Sequence, residues 1–158
     1  MDYRIETLPP RLLVGVSLPM SRTRDRTQEL WRSFGPRIRE VGNRVSGDRL
    51  SMQVYAGDAR QVLDPEALFL KWAAVEVADF GSVPAGLDTY ELAGGLYAVF
   101  RHQGPATDIS TFLHIYTEWL PSAPFDLDHR EHFEVLPPGY DPMAASAEEF
   151  YWIPVTPR

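Results

Sequence analysis

Apolar residues fall along this chain in continuous runs, strict alternations and one-face helical spacings. Leu96-Tyr97-Ala98-Val99-Phe100 is apolar throughout and rich in aromatic and β-branched types, which predicts a buried strand. Arg101 to Pro105 turns the chain. Ile109, Phe112, Leu113 and Tyr116 then recur at helical spacing and predict a helix with that apolar face. Trp119-Leu120-Pro121 closes it, because a proline ring cannot continue the helical ladder. A polar loop leads to a short strand at Phe133-Glu134-Val135. Strand side chains alternate between faces, so Glu134 points away from Phe133 and Val135. With that apolar pair toward the helix, Glu134 faces the other side of the sheet.

The first half reads in the same way. Ile5 to Leu8 is a short first strand, interrupted by Pro9-Pro10. Leu12 to Leu18 is a buried strand in which Gly15 marks a bulge or a close backbone approach. Thr23 to Val41 is helical, with Leu30, Trp31, Phe34, Ile38 and Val41 on one face. Gly35-Pro36 in its middle predicts a kink or two helical pieces. Ser51 to Tyr55 alternates as a strand, with Gln53 and Tyr55 sharing a face. Phe69 to Val77 is the next strand, with Trp72, Ala74 and Glu76 on one face. Phe80 to Gly86 is the clearest linker, and Glu149 to Val155 is the last strand. Pro154 predicts that this strand lies at an edge or ends at Ile153.

A strand–helix–strand–strand pattern therefore occurs twice, in residues 11–78 and 95–155. A repeat at this distance is a module duplication, not a solenoid period. The predicted fold is α+β: a single domain over 1–158, built from two pseudosymmetric βαββ modules at about 1–80 and 86–158. The sheet is antiparallel and concave, with the helices on the opposite face. A groove is expected on the face away from the helices. It would be lined by Gln53, Tyr55, Glu134 and Leu136, with Trp72, Tyr97 and Trp152 as aromatic walls and Glu76 facing the same space.

Composition narrows the function. The net charge is −7, which argues against a general nucleic-acid binder. Residues 1–50 carry ten arginines against six acids, whereas the remainder carries five basic residues against sixteen acids. The arginines between Arg22 and Arg39 form a solvated helix face or a docking surface for an acidic partner protein. The acidic remainder favours cationic ligands. There is no cysteine, and so no disulfide or thiolate chemistry. No run is long enough to span a bilayer and the start lacks a signal-peptide core, so a soluble, cytoplasmic protein is expected. His102, His114, His129 and His132 have no metal-site spacing, and no phosphate loop or nucleophile motif is present. No metal or cofactor is expected.

Several stretches together resemble a known family. They are Leu30-Trp31-Arg32-Ser33-Phe34, Ala73 to Val77, Gly86-Leu87-Asp88, Leu96 to Gly104, Glu118-Trp119-Leu120-Pro121, Phe133-Glu134-Val135 and Tyr151 to Val155. In this order they resemble the GyrI-like effector-binding domains, the ligand-sensing half of many AraC- and MerR-type multidrug regulators, which also occur alone. The resemblance covers nearly the whole chain. It implies two βαββ modules about a pseudo-twofold and an aromatic pocket whose buried glutamate receives cationic amphiphiles. Glu134 matches that glutamate. Leu136 stands where the family often has a tyrosine, so one aromatic wall is in question. The domain starts at once, so the chain is expected not to be a complete transcription regulator.

Three functions follow as expectations. The first is a stand-alone domain that binds aromatic, cationic amphiphiles, as a drug sensor or a sink. The second is a hydrolase of strained, cyclopropane-bearing xenobiotics, as some family members are, with Glu134 as general base. The third is a partner-binding inhibitor that uses the arginine-rich first helix.

Overall fold

The computed structural model describes residues 2–158. Among these, nine strands form one antiparallel sheet: β1 (Tyr3–Leu8), β2 (Arg11–Met20), β3 (Arg49–Tyr55), β4 (Phe69–Val77), β5 (Asp88–Leu92), β6 (Gly95–Gln103), β7 (Phe125–Leu127), β8 (His132–Leu136) and β9 (Glu148–Pro157). Helix α1 spans Thr27–Phe34 and continues as a 3-10 helix over Gly35–Glu40. Helix α2 (Ser110–His114) runs into a π-helical turn, Ile115–Trp119, and then α3 (Leu120–Ser122). The fold is α+β, as the pattern predicts.

The strand order is β1-β6-β9-β8-β3-β4-β2-β5, with β7 on the far part of β9. Each βαββ unit contributes three strands, and the units meet where β3 pairs with β8. The edge strands are exchanged: β1 pairs with β6 of the second unit, and β5 pairs with β2 of the first. Two connections of two residues, Pro9-Pro10 and Ala93-Gly94, join strands from opposite ends of this order. Links that short require the sheet to curl until its ends are close.

The curl gives the sheet two apolar faces. The concave face holds Leu13, Met52, Trp72, Leu92, Tyr97, Phe133 and Trp152 in one cluster, drawn from both ends of the sheet. On the convex face, α1 and its 3-10 extension pack Leu30, Phe34 and Ile38 on Val14, Ala73 and Val75. The helical segment at 110–122 packs Ile115, Tyr116 and Trp119 on Ala98, Phe100 and Ile153. The predicted break at Gly35-Pro36 is where α-helix gives way to 3-10 helix. Gly15 makes the expected close approach: a Cβ there would lie 2.0 Å from the Ala73 carbonyl oxygen.

Two local expectations are corrected. The second helix does not bury Ile109 and Leu113, which are 56% and 45% exposed; it buries Ile115, Tyr116 and Trp119. A π turn holds more residues than an α turn, so it rotates the following side chains away from the simple helical spacing. Nor is β9 an edge strand, since it lies between β6 and β8. Pro154 is tolerated because the β8 pairing ends at Trp152 and the β7 pairing takes up at Val155.

The seam of the curl depends on Gly94. It has φ +82°, and a Cβ would sit 2.3 Å from the Leu8 carbonyl oxygen. Gly94→Ala is expected to cost about 3 kcal/mol or more, from the left-handed backbone and the clash together. Urea denaturation checks this, and a variant within about 0.5 kcal/mol of the parent would mean that the seam is loose.

Candidate functional site

A cavity of about 770 Å³ opens on the convex face, between the two helical segments. Its floor is the centre of the sheet, where β9, β8, β3 and β4 lie side by side. Register explains which side chains share that floor. Gln53 pairs with Lys71, Tyr55 with Phe69, Ser51 with Glu134, and Glu134 with Tyr151. Paired residues point to the same side, so all of these face the helices. The walls come from Trp31 of α1 and from Phe112 and Tyr116 of the other helical segment.

The expected groove on the face opposite the helices is therefore corrected. Phe133 packs into the concave cluster, so its neighbour Glu134 turns to the convex side. Four of the sequence-picked residues, Gln53, Tyr55, Glu134 and Leu136, line this one cavity. The other four do not. Trp72 and Trp152 pair with Met52 and Phe133 and lie in the concave core, as does Tyr97. Tyr97 donates its hydroxyl to the Glu131 carbonyl, at 2.9 Å. Glu76 accepts from Arg11 at 2.8 Å and lines a smaller cavity of about 440 Å³, on the concave side with Trp152.

Glu134 is the most constrained group of the site. Gln53 donates Nε2 to both of its carboxylate oxygens, at 3.0 and 3.3 Å. Lys71 Nζ lies 4.0 Å from Oε2, too long for a hydrogen bond but close enough for strong attraction. Burial pushes the Glu134 carboxyl above its usual range; Lys71 opposes this and Glu149 adds to it.

Residue Glu149 escapes the sequence reading. It is 6% exposed, lines the same cavity, and accepts from the Tyr140 hydroxyl at 2.5 Å. Among the described residues, no cationic side chain lies within 4 Å of its carboxylate. Lys71 was also missed. It is the chain's single lysine, 6% exposed, on the floor beside Glu134. Both carried a readable signal, a charged residue at a core-facing position of an otherwise apolar strand. The phenols around them are hard to ionise: burial lifts Tyr55 to about 12, raises Tyr151 further and holds Tyr116 well above the usual phenol range.

Arg22 is not part of a free basic face. It donates to the Val62 carbonyl at 2.8 Å and lies over the Phe112 ring at the cavity mouth, 4.8 Å from its centroid. Arg26 and Arg37 pair with Glu29 and Glu40, while Arg24, Arg32 and Arg39 are exposed. His132, expected in a polar loop, begins β8 and is buried, with Nδ1 3.1 Å from the Tyr116 hydroxyl. The loop before it is tied down by Arg130, which donates to Gly94 and Leu96 carbonyls. Among the described residues no three His, Cys, Asp or Glu side chains converge as a metal site. No helix among the described residues is long and apolar enough to cross a membrane.

The family model described as the GyrI-like small molecule binding domain matches residues 1–156. The transcriptional regulator BrlR of Pseudomonas aeruginosa is 31% identical over 121 residues, covering 76% of this chain and 42% of that regulator. The chain thus spans less than half of that relative. The C-terminal domain of EcmrR superposes with a TM-score of 0.75 at 11% identity, covering 99% of this chain and 98% of that one. SAV2435 bound to tetraphenylphosphonium superposes with a TM-score of 0.63 at 20% identity, over 99% and 94% of the two chains.

His132 makes a pH-dependent prediction. Burial lowers its pKa from 6.5 to about 3, so the folded chain leaves it neutral while the unfolded chain protonates it. Between those values the unfolded state binds more protons, so stability falls as pH falls. The loss approaches about 1.4 kcal/mol per pH unit. His132→Gln is expected to lose this slope. Urea midpoints of both proteins across that range check it; a gap that does not change with pH would show that His132 takes up no extra proton on unfolding.

Proposed function

This chain belongs to the GyrI-like small molecule binding domain family, and on that premise we propose that its cavity takes up an aromatic, cationic amphiphile, for sensing or sequestration. The observation that carries the reading is Glu149, a buried carboxylate without a cationic partner among the described residues, inside a cavity walled by aromatic rings. A buried charge without a counter-ion is costly, and a bound cation relieves that cost. Phe112, Tyr55 and Tyr151 offer ring faces, each of which contributes about 0.5–2 kcal/mol to a cation placed over it. The volume of about 770 Å³ is that of a drug-sized site. The tetraphenylphosphonium carried by SAV2435, a structure of the same fold, is a ligand of this class. In this reading Glu134 and Glu149 together supply the negative field.

Hydrolysis with Glu134 as general base has less in its support. A general base needs to take up a proton readily, and the Gln53 amide and the Lys71 ammonium both favour the ionised form of that carboxylate. A docking role for the first helix would rest on Arg24, Arg32 and Arg39, the exposed arginines of that region that form no ion pair among the described residues.

Glu149→Gln and Glu134→Gln are each expected to stay folded, because the amide is isosteric and needs no counter-ion. Each should weaken tetraphenylphosphonium by on the order of 1–3 kcal/mol while barely changing a neutral triphenylmethyl compound. Calorimetry with both ligands tests this. Equal affinity of parent and both variants for the cation would remove the carboxylates from the site. Consumption of a strained electrophile by the parent alone, without cation binding, would put hydrolysis first.

A further inference from the structure

The charges buried in the cavity are two acids and one base. Glu134 and Glu149 are the acids, and Lys71 is the base. The remaining charged groups of the lining, Arg22, Asp25 and Arg49, are exposed at the rim, where water weakens them; Arg22 still acts on the Tyr55 and Tyr116 phenols, whereas Lys71 lies on the floor beside the acids. With both acids ionised, the interior is one positive charge short of neutral.

Lys71 is held in an unusual way for a buried ammonium. It has three donors, yet no hydrogen bond is formed by its amine among the described residues. Its nearest acid oxygen is Glu134 Oε2 at 4.0 Å, and that oxygen already accepts from Gln53. Arginine fills the other fourteen basic positions of the chain. A planar, forked guanidinium would take both oxygens of Glu134 and compete with Gln53, whereas a compact ammonium leaves that amide in place. Lys71 acts as a resident cation that cancels one of the two acids without filling the space above them.

Resting on the cation reading above, we propose that Lys71 sets the charge of the ligand: the cavity selects a single positive charge over two. A monocation beside Glu149 completes neutrality. A dication overshoots it and meets the Lys71 ammonium in a poorly screened interior, where like charges repel strongly. A neutral ligand leaves Glu149 uncompensated.

The test uses the full chain and two flat biaryls of similar size, the monocation methylphenylpyridinium and the dication methyl viologen, titrated by calorimetry at mildly alkaline pH. The parent is expected to bind the monocation at least about tenfold more tightly. Lys71→Met removes the resident cation. The ratio should then shift toward the dication by at least about tenfold, because two acids now face two charges. Burial already raises the Glu134 carboxyl, and loss of Lys71 removes the cation that opposes this. Dication binding to Lys71→Met should therefore release more protons than monocation binding to the parent, read as a dependence of the binding enthalpy on the buffer. Lys71→Arg disturbs Gln53 but keeps the charge, so both affinities should fall while the parent's preference for the monocation remains. Lys71→Gln repeats the test if the methionine variant does not fold.

An unchanged ratio in Lys71→Met, with cation binding that Glu149→Gln still weakens, overturns the charge rule and leaves the cation reading standing. Binding of neither cation to the parent or to Lys71→Met overturns both.

Discussion

A sheet that is apolar on both faces has to be covered twice, and this constraint shapes the whole molecule. The concave face covers itself. Leu8 and Tyr97 from one end of the strand order reach Leu13 and Leu92 from the other, and the short links at Pro9-Pro10 and Ala93-Gly94 hold the ends together. The convex face is covered by two short helical segments, one per unit. Each segment packs on the flank of its own unit, β2 and β4 on one side, β6 and β9 on the other. Neither reaches the middle, where the units join. The cavity is the uncovered centre of the convex face, and its position follows from the duplication.

The same geometry decides what the cavity contains. Uncovered sheet between two helices would normally fill with apolar side chains. Here the central strands present Lys71, Gln53, Glu134 and Glu149 on that side, framed by Tyr55, Phe69 and Tyr151. On the other side of the same strands, Met52, Trp72, Phe133 and Trp152 form ordinary core. β8 shows the contrast within three residues, since Phe133 and Val135 face the concave side while Glu134 stands alone on the other. The apolar face anchors the strand, and that packing offsets the cost of desolvating the charged side chains behind it.

The π turn at Ile115–Trp119 belongs to this arrangement. It brings Ile115, Tyr116 and Trp119 down onto the sheet, and Tyr116 reaches His132 within the cavity lining. Phe112, one turn earlier, is left half-buried at the mouth, with the Arg22 guanidinium over its ring. A regular α-helix would present Ile109 and Leu113 to the sheet instead, and those two remain exposed at 56% and 45%. One irregular turn thus separates the residues that hold the helix from those that frame the opening.

Hydrophobic period was enough to identify seven of the nine strands, the two helical regions, the break at Gly35-Pro36 and the duplication, because period and breaker residues act within a few positions of the chain; β5 and β7, short and without an apolar run, left no such signal. Parity grouped Gln53, Tyr55, Glu134 and Leu136 on one face for the same reason. Which face that would be was not local information. Alternation says only that Glu134 opposes Phe133; with apolar residues on both sides of the sheet, neither side was marked as the core. Only the curl, made by contacts between residues far apart in the chain, such as Leu8 with Gly95 and Arg11 with Leu92, assigned Trp72, Tyr97, Trp152 and Glu76 to the concave side. The partnership of Lys71 with Glu134, sixty-three positions away, and the position of Glu149 beside them likewise depend on strand order. A sequence states which residues carry charge, whereas the register between distant strands decides which of those charges meet in a space that water barely reaches.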